Sequence, residues 1–288
     1  MHTERHITGR LAYSRTLLFA PGNRPERFLK AVRSGADLII LDLQDGVPSL
    51  DKAAARSAID REWQGLQNWG VPIAIRINSP QSSEGEQDLA WLESLQSVAA
   101  VMIPKAESAE SLGRVHQRLS GLPLLPIIES ALGYSSLMSI SATPGVMRLV
   151  IGHIDFMVDS GFESDVAQTA LAPLRFAVSM ATRVNRLAPA VDGVTVEIGN
   201  DERLREDVMR ALRFGLLGKL CIHPQQVGVV HQAMHPTESE LAWARKALAA
   251  SAASNGSAVQ VDGRMVDLPV VLQAQRTLAR AAVSWDIS

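Results

Sequence analysis

Eight short apolar runs punctuate this chain, and most of them stop at a polar residue or a Gly/Pro step. They are TLLFAPG (16–22), DLIILDLQDG (37–46), VPIAIRINS (71–79), VAAVMIPKAES (98–108), LPLLPIIES (122–130), MRLVIGHID (147–155), AVDGVTVE (190–197) and GKLCIHP (218–224). Between them lie Ala/Leu-rich stretches of helical period, such as PERFLKAVRSG, DKAAARSAIDREWQGLQNW and DERLREDVMRALRFG. Near-continuous Val/Ile/Leu runs belong to parallel strands covered on both faces. About eight strands alternating with helices predict a (β/α)8 TIM barrel; an open α/β sheet is the other arrangement compatible with the alternation.

Beyond residue 224 the pattern changes. SELAWARKALAASAAS (239–254) reads as a helix, NGSAVQVDGRMVD (255–267) as a turn with a short hairpin, and PVVLQAQRTLARAAV as a last helix. The expected organisation is a barrel over 1–235 and a C-terminal helix with a lid or oligomer-contact segment over 236–288. A formal charge of −2 gives no reason to expect nucleic acid or an acidic membrane as partner. The single cysteine, Cys221, excludes an intramolecular disulfide and sits inside an apolar run, as a core residue would. The start, MHTERHITGR, lacks the apolar centre of a signal peptide, and no apolar run approaches the ~18 residues of a membrane span. A cytoplasmic protein is the expectation.

Chemistry in such a barrel sits where strands end and βα loops begin. The predicted strand ends carry Asp42 and Asp45, Arg76, Lys105, Glu129, Asp155, Glu197 and His223. One polar residue there is usually a cap or turn; a ring of them must converge and share partners, because a buried unpaired charge is strongly unfavourable. Carboxylates predominate, which points to a divalent cation held by one or two acids with water and substrate completing an octahedron, as Mg²⁺ is, with Mn²⁺ as a possible substitute. Glu129 and Asp155 follow their apolar runs most directly and are the candidate ligands, with Asp42 and Asp45 behind them holding waters or Arg76. Glu129 also reads as the neighbour of a helix N-cap. Arg76, within IAIRIN, suits a substrate carboxylate or a structural pair with Asp42 or Asp45. Arg24, Arg27 and Lys30 in PGNRPERFLK suit phosphate groups or form a solvated helix face. Neither G-x-x-x-x-G-K-[ST] nor a post-strand G-x-G-x-x-G is present.

The segment RTLLFAPGNRPERFLKAVRSGADLIILDLQDGVP closely resembles the N-terminal signature of the citrate lyase β-subunit-like family, the CoA-thioester branch of the HpcH/HpaI aldolase superfamily. AIRIN, VMIPKAES, LPIIES, LVIGHIDFMVDSG, GLLGKLCIHPQQV and DGRMVDLPVVLQAQRTLA follow in order, so the resemblance covers residues 15 to about 280. It implies a Mg²⁺-dependent (β/α)8 barrel that makes or breaks a C–C bond beside an acyl thioester, usually as a homotrimer or hexamer. It puts Glu129 and Asp155 on the metal ligands and Arg76 on the arginine that holds the keto-acid. It puts Phe19, Arg24, Arg27 and Lys30 where relatives grip CoA, and Asp267 on the acid that a neighbouring subunit's lid supplies. Arg76, Asp45 and Asp267 are thus the expected catalytic side chains. Gln44 stands where the family usually has glutamate, and His153 and Ile154 depart from its commoner GAEDFAADLG form.

The implied reaction is cleavage of a 3-hydroxyacyl-CoA of citramalyl-CoA or malyl-CoA type to acetyl-CoA or propionyl-CoA and a 2-keto acid. A citrate lyase β subunit, acting on a carrier-protein thioester, is the nearest alternative; the tail bearing Asp267 leans against it. A class II aldolase acting on free sugar acids and a barrel that binds CoA or a keto-acid without turnover are the others.

Overall fold

A computed structural model describes residues 9–282. The segment read as carrying no signal peptide lies largely outside the described residues. The strands are β1 (Thr16–Pro21), β2 (Leu38–Asp42), β3 (Ile73–Arg76), β4 (Ala100–Ile103), β5 (Leu124–Ile128), β6 (Val150–Ile151), β7 (Val191–Asp192) and β8 (Gly218–Cys221). Every neighbouring pair is parallel, and β1 pairs with both β2 and β8. The sheet therefore closes in strand order as an eight-stranded barrel, which excludes the open sheet.

Strand side chains alternate between the barrel interior and the helix-covered outside. Leu17, Leu38, Ile40, Ala74, Met102, Leu125 and Ile127 fill the interior with Val150, Val191 and Leu220. Their neighbours Ile39, Leu41, Ile73 and Ile75 are equally buried on the other face. There the helix Lys52–Gln67 turns inward Ala55, Ile59, Trp63 and Leu66, one stripe at helical spacing. Burial on both faces explains the continuous apolar runs. Two residues past Ile40, Ala74 and Ile127, the same inward direction falls on Asp42, Arg76 and Glu129. The strand period itself thus sets these three over the packed interior.

Two strands are shorter than their runs. The run 190–197 predicts a strand ending at Glu197, but β7 stops at Asp192, and Glu197 lies exposed in a loop, accepting a hydrogen bond from Asn200 Nδ2 at 2.7 Å. β6 covers two residues, and the helix His153–Ser160 begins directly after Gly152. Asp155 therefore sits in that helix's first turn rather than on a strand.

The chain divides into two compact units between Val230 and His231. In the second, the helix Glu238–Ala253 opens with a capping box of Thr237 and Glu240. A hairpin follows, β9 (Val259–Val261) antiparallel to β10 (Arg264–Val266). Its two-residue Asp-Gly turn has φ of 48° at Asp262 and 76° at Gly263, the left-handed pair that a tight hairpin requires. The helix Leu268–Ala282 completes the unit, whose own core includes Ala244, Ala247, Val261, Val266 and Ala274.

Candidate active site

Asp42, the last residue of β2, is 3% exposed and organises the mouth of the barrel. Its Oδ1 accepts from Arg76 Nε at 2.6 Å and from the Gln44 amide at 2.9 Å. Its Oδ2 accepts from Arg76 Nη2 at 2.7 Å and from the Gly46 amide at 2.8 Å. One carboxylate thus fixes a guanidinium bidentately and folds the β2 loop around itself. The structural pair that the sequence allowed for Arg76 is made, and it leaves Nη1 unused. Nη1 lies 3.5 Å from Asp45 Oδ2, and the guanidinium sits over the Phe19 ring at 4.7 Å from its centroid. Burial works to lower the pKa of Arg76, but hydrogen bonding and charge from Asp42, then Asp45 and Glu129, outweigh it and hold the pKa above the usual value.

Glu129, one residue beyond β5, is 4% exposed. Its Oε1 accepts from the Lys105 amide at 2.7 Å, which a left-handed backbone at Lys105 (φ 46°) turns toward it. Lys105 therefore serves the site through its main chain, while its side chain is exposed. Oε2 lies against Gly152: a Cβ there would come within 2.5 Å of it, so only glycine leaves the carboxylate its place. Burial pushes the Glu129 carboxyl up to about 7; Asp155 and Asp45 push the same way, against the Lys105 amide and Arg76. Phe19, Arg76, Ile127, Glu129, Gly152 and Asp155 line one cleft of about 70 Å³.

The charges around this cleft test whether a cation belongs there. Asp42, Asp45, Glu129 and Asp155 share one guanidinium at the cleft, which Asp42 mostly occupies, and the Lys52 ammonium behind the loop adds its charge to Asp42 and Asp45. Glu129 has a carboxylate neighbour and, among the described residues, no side-chain cation bonded to it, so only the Lys105 amide and the charge of Arg76 oppose the burial that raises its pKa. Among the described residues no group of three or more His, Cys, Asp and Glu is arranged to hold a metal. Two acids with open positions fit a hard cation that keeps water and takes substrate oxygens, the usual Mg²⁺ arrangement, and do not fit a closed structural site.

The other expected residues fall elsewhere. Arg24, Arg27 and Lys30 are exposed beyond β1, and Arg24 Nε donates to Glu26 at 2.5 Å. Gln44 contributes its backbone amide to Asp42, while its side-chain Oε1 is buried without a partner. His223 accepts from the Gln225 amide at 3.3 Å in the loop after β8. Asp267 lies in the second unit and accepts from the Val270 amide at 3.4 Å, a weak N-cap on the last helix.

Sequence reading missed Lys52. Its ammonium is buried and donates to Leu43 O (2.7 Å), Gln44 O (2.6 Å) and Asn78 Oδ1 (2.8 Å), clamping the loop that carries Asp45. Asn78 is held in turn by Asp88, which pairs with Arg56. Burial lowers the Lys52 pKa, against the pull of Asp42 and Asp88. A lysine opening a helix looks like solvated surface in sequence, so no signal marked it. His153 was noticed only as a departure. It is 3% exposed, and burial, despite Asp192 nearby, brings its pKa down to about 4, so the ring is neutral.

The sequence pattern of HpcH/HpaI aldolase/citrate lyase matches residues 15–224. A citrate lyase subunit beta-like protein of Mycobacterium tuberculosis is 34% identical over 273 residues, covering 92% of this chain and 94% of the relative. The L-malyl-CoA/beta-methylmalyl-CoA lyase of Cereibacter sphaeroides is 30% identical over 302 residues, covering 93% and 94%. Among solved structures, the protein CitE from M. tuberculosis in complex with magnesium, acetoacetate and coenzyme A superimposes with a TM-score of 0.82 at 32% identity, covering 93% of this chain and 98% of that one.

Proposed function

Because the chain belongs to the HpcH/HpaI aldolase/citrate lyase family, we propose that it is a Mg²⁺-dependent carbon–carbon lyase that cleaves a 3-hydroxyacyl-CoA thioester to a shorter acyl-CoA and a 2-keto acid. The observation that carries this reading is the pairing, in one cleft, of a pre-oriented guanidinium with a buried and an exposed carboxylate that lack a cation. Magnesium and coenzyme A in the CitE complex, and the malyl-CoA lyase relative, support the same chemistry. Substrates of citramalyl-CoA or malyl-CoA type, giving pyruvate or glyoxylate, fit a small, largely apolar cleft whose charged groups are Arg76, Glu129 and Asp155.

In this reading Glu129 and Asp155 hold the cation. Held there, it would supply Lewis-acid polarisation to the oxygen at which the keto group forms. Arg76, held by Asp42 on its Nε/Nη2 edge, offers Nη1 to the carboxylate of the departing keto-acid. Its fixed position means that little reorganisation is needed as charge develops there. Asp45 steadies the same guanidinium. Breaking the C–C bond leaves the electron pair on the α-carbon of the thioester, as an enolate. Asp267, brought by the second unit of a neighbouring subunit, is assigned as the acid/base that takes the hydroxyl proton as the C–C bond breaks and then delivers it to that carbon. Arg24, Arg27 and Lys30, exposed beyond β1, are assigned to the phosphates of CoA, with Phe19 beside Arg76 at the acyl end.

An exposed stripe of Phe176, Met180 and Val184, four residues apart on the helix Ala172–Val184, supports assembly into a homotrimer or hexamer. The test is a panel of 3-hydroxyacyl-CoA and carrier-protein thioesters assayed with Mg²⁺ and with EDTA. Mg²⁺-dependent release of acyl-CoA and keto-acid is expected. Turnover undiminished by thorough chelation, or binding of CoA and keto-acid with no turnover on any member, would overturn the proposal.

A further inference from the structure

A second cavity, of about 170 Å³, opens beside the cleft that holds Glu129 and Asp155. Both spaces are bounded by His153, Ile154 and Val194, so these three side chains form the wall between them. The floor of the second space is polar, with Ser164, Asp165, Gln168, Thr195, Glu197 and Arg203 around it. None of the established elements of the proposed reaction uses it.

His153 is the buried side chain of that wall; Ile154 is exposed and Val194 half-buried. Its Nδ1 is buried with no hydrogen-bond partner among the described residues. The ring is kept in place by packing: Nδ1 occupies the place where a side chain at position 193 would begin, and it is free only because that residue is Gly193. A side chain wedged by shape alone between two spaces acts as a partition. Its removal strands no partner of Nδ1.

We infer that His153 sets how far the keto-acid chain can extend from the Glu129–Asp155 pair, and that the cavity behind it is a latent subsite for a neutral, hydroxyl-bearing chain. This rests on the lyase reading above. The polar class follows from the lining. Arg203 is already engaged, with Nη1 donating to Val166 O and Nε lying 3.4 Å from Asp207, and no other Lys or Arg stands among the described residues that line the space. Asp165 and Glu197 would repel a second carboxylate; Asp165 already accepts from Thr169 on both oxygens, whereas Glu197 accepts from Asn200 on Oε2 and keeps Oε1 for a hydroxyl.

The test is calorimetric binding of 2-oxo acids to the full-length protein with Mg²⁺, without any thioester. The probes are pyruvate, 2-oxopentanoate and its near-isostere 4-hydroxy-2-oxobutanoate. The unmodified protein is expected to prefer pyruvate. In His153→Ala the ratio of affinities should move at least about tenfold toward the longer acids, the scale on which a pocket discriminates added chain length. The hydroxylated acid should gain more than its isostere. Val194→Ala trims the same wall from the β7 side and serves if the histidine variant does not fold; it should shift the ratio in the same direction. Folded variants that keep the native ratio, or an unmodified protein that already binds all three acids equally, would overturn the partition. Failure of the unmodified protein to bind any 2-oxo acid with Mg²⁺ would instead overturn the lyase reading, and this inference with it.

Discussion

At the scale of single residues, the chemistry rests on how burial and neighbours set the charge of Glu129. Its carboxyl is raised to about 7, so between the ordinary carboxylate range and about 7 the folded protein holds a proton that the unfolded chain has released. Stability falls with rising pH wherever the folded state binds more protons, so the metal-free protein should lose stability from about pH 4.5 up to about 7 through this group. Mg²⁺ favours the ionised form. Its binding at pH 6 should release close to one proton, read from calorimetry in buffers of different ionisation enthalpy, and Glu129→Gln should abolish that release. Arg76 gives a second expectation. Lysine keeps the charge but cannot hold Asp42 bidentately while presenting another donor, so Arg76→Lys should weaken 2-oxo acid binding by at least about tenfold. Unchanged pyruvate affinity would remove Arg76 from that role.

Among elements, the β2 loop depends on groups far from it in sequence. Lys52, from the next helix, bonds the carbonyls of Leu43 and Gln44, and Asn78, from the end of β3, donates to Leu43 O at 2.9 Å. Lys52→Met would leave Asn78 Oδ1 without its donor, while Leu43 O and Gln44 O keep Asn78 Nδ2 and the Val47 amide, so it should destabilise the protein by about 1–3 kcal/mol in denaturant titrations. It should also loosen the loop, seen as faster amide exchange at Gln44 and Gly46, whose N–H groups bond Asp42. Lys52→Arg, which keeps the charge and several donors, should recover part of both losses. Normal exchange at these amides in a folded methionine variant would show that Asp42 alone organises the loop.

For the whole molecule, the decisive question is whether the second unit of one copy supplies Asp267 to the barrel of another, as proposed. Asp267 is positioned within its own unit by the hairpin turn and the start of the last helix. Asp267→Asn should bind Mg²⁺ and 2-oxo acid normally and lose thioester cleavage by several orders of magnitude. Arg76→Ala should lose keto-acid binding. Mixing the two after subunit exchange should restore partial activity, because some sites then combine an intact barrel with an intact second unit. A mixture that stays inactive after verified exchange, or full activity in a protein that sediments as a monomer, would show that the second unit does not work across an interface.

The barrel was legible because its cause is local. Strands buried on both faces must be apolar throughout, and Asp42, Arg76 and Glu129 break that rule at the inward positions above the core. Their period-two spacing from Ile40, Ala74 and Ile127 aims them into one mouth, so sequence could gather them before any contact was known. Asp155 could be gathered too, though it stands on a helix turn rather than a strand end. Glu197 could not be judged correctly, because an alternating apolar run does not reveal where a closed barrel stops pairing. The Lys105 amide, the room made by Gly152, the Lys52 clamp and the His153 wedge against Gly193 were decided by tertiary structure alone. Each is a contact between distant segments, in which backbone direction or the absence of a side chain matters more than residue type.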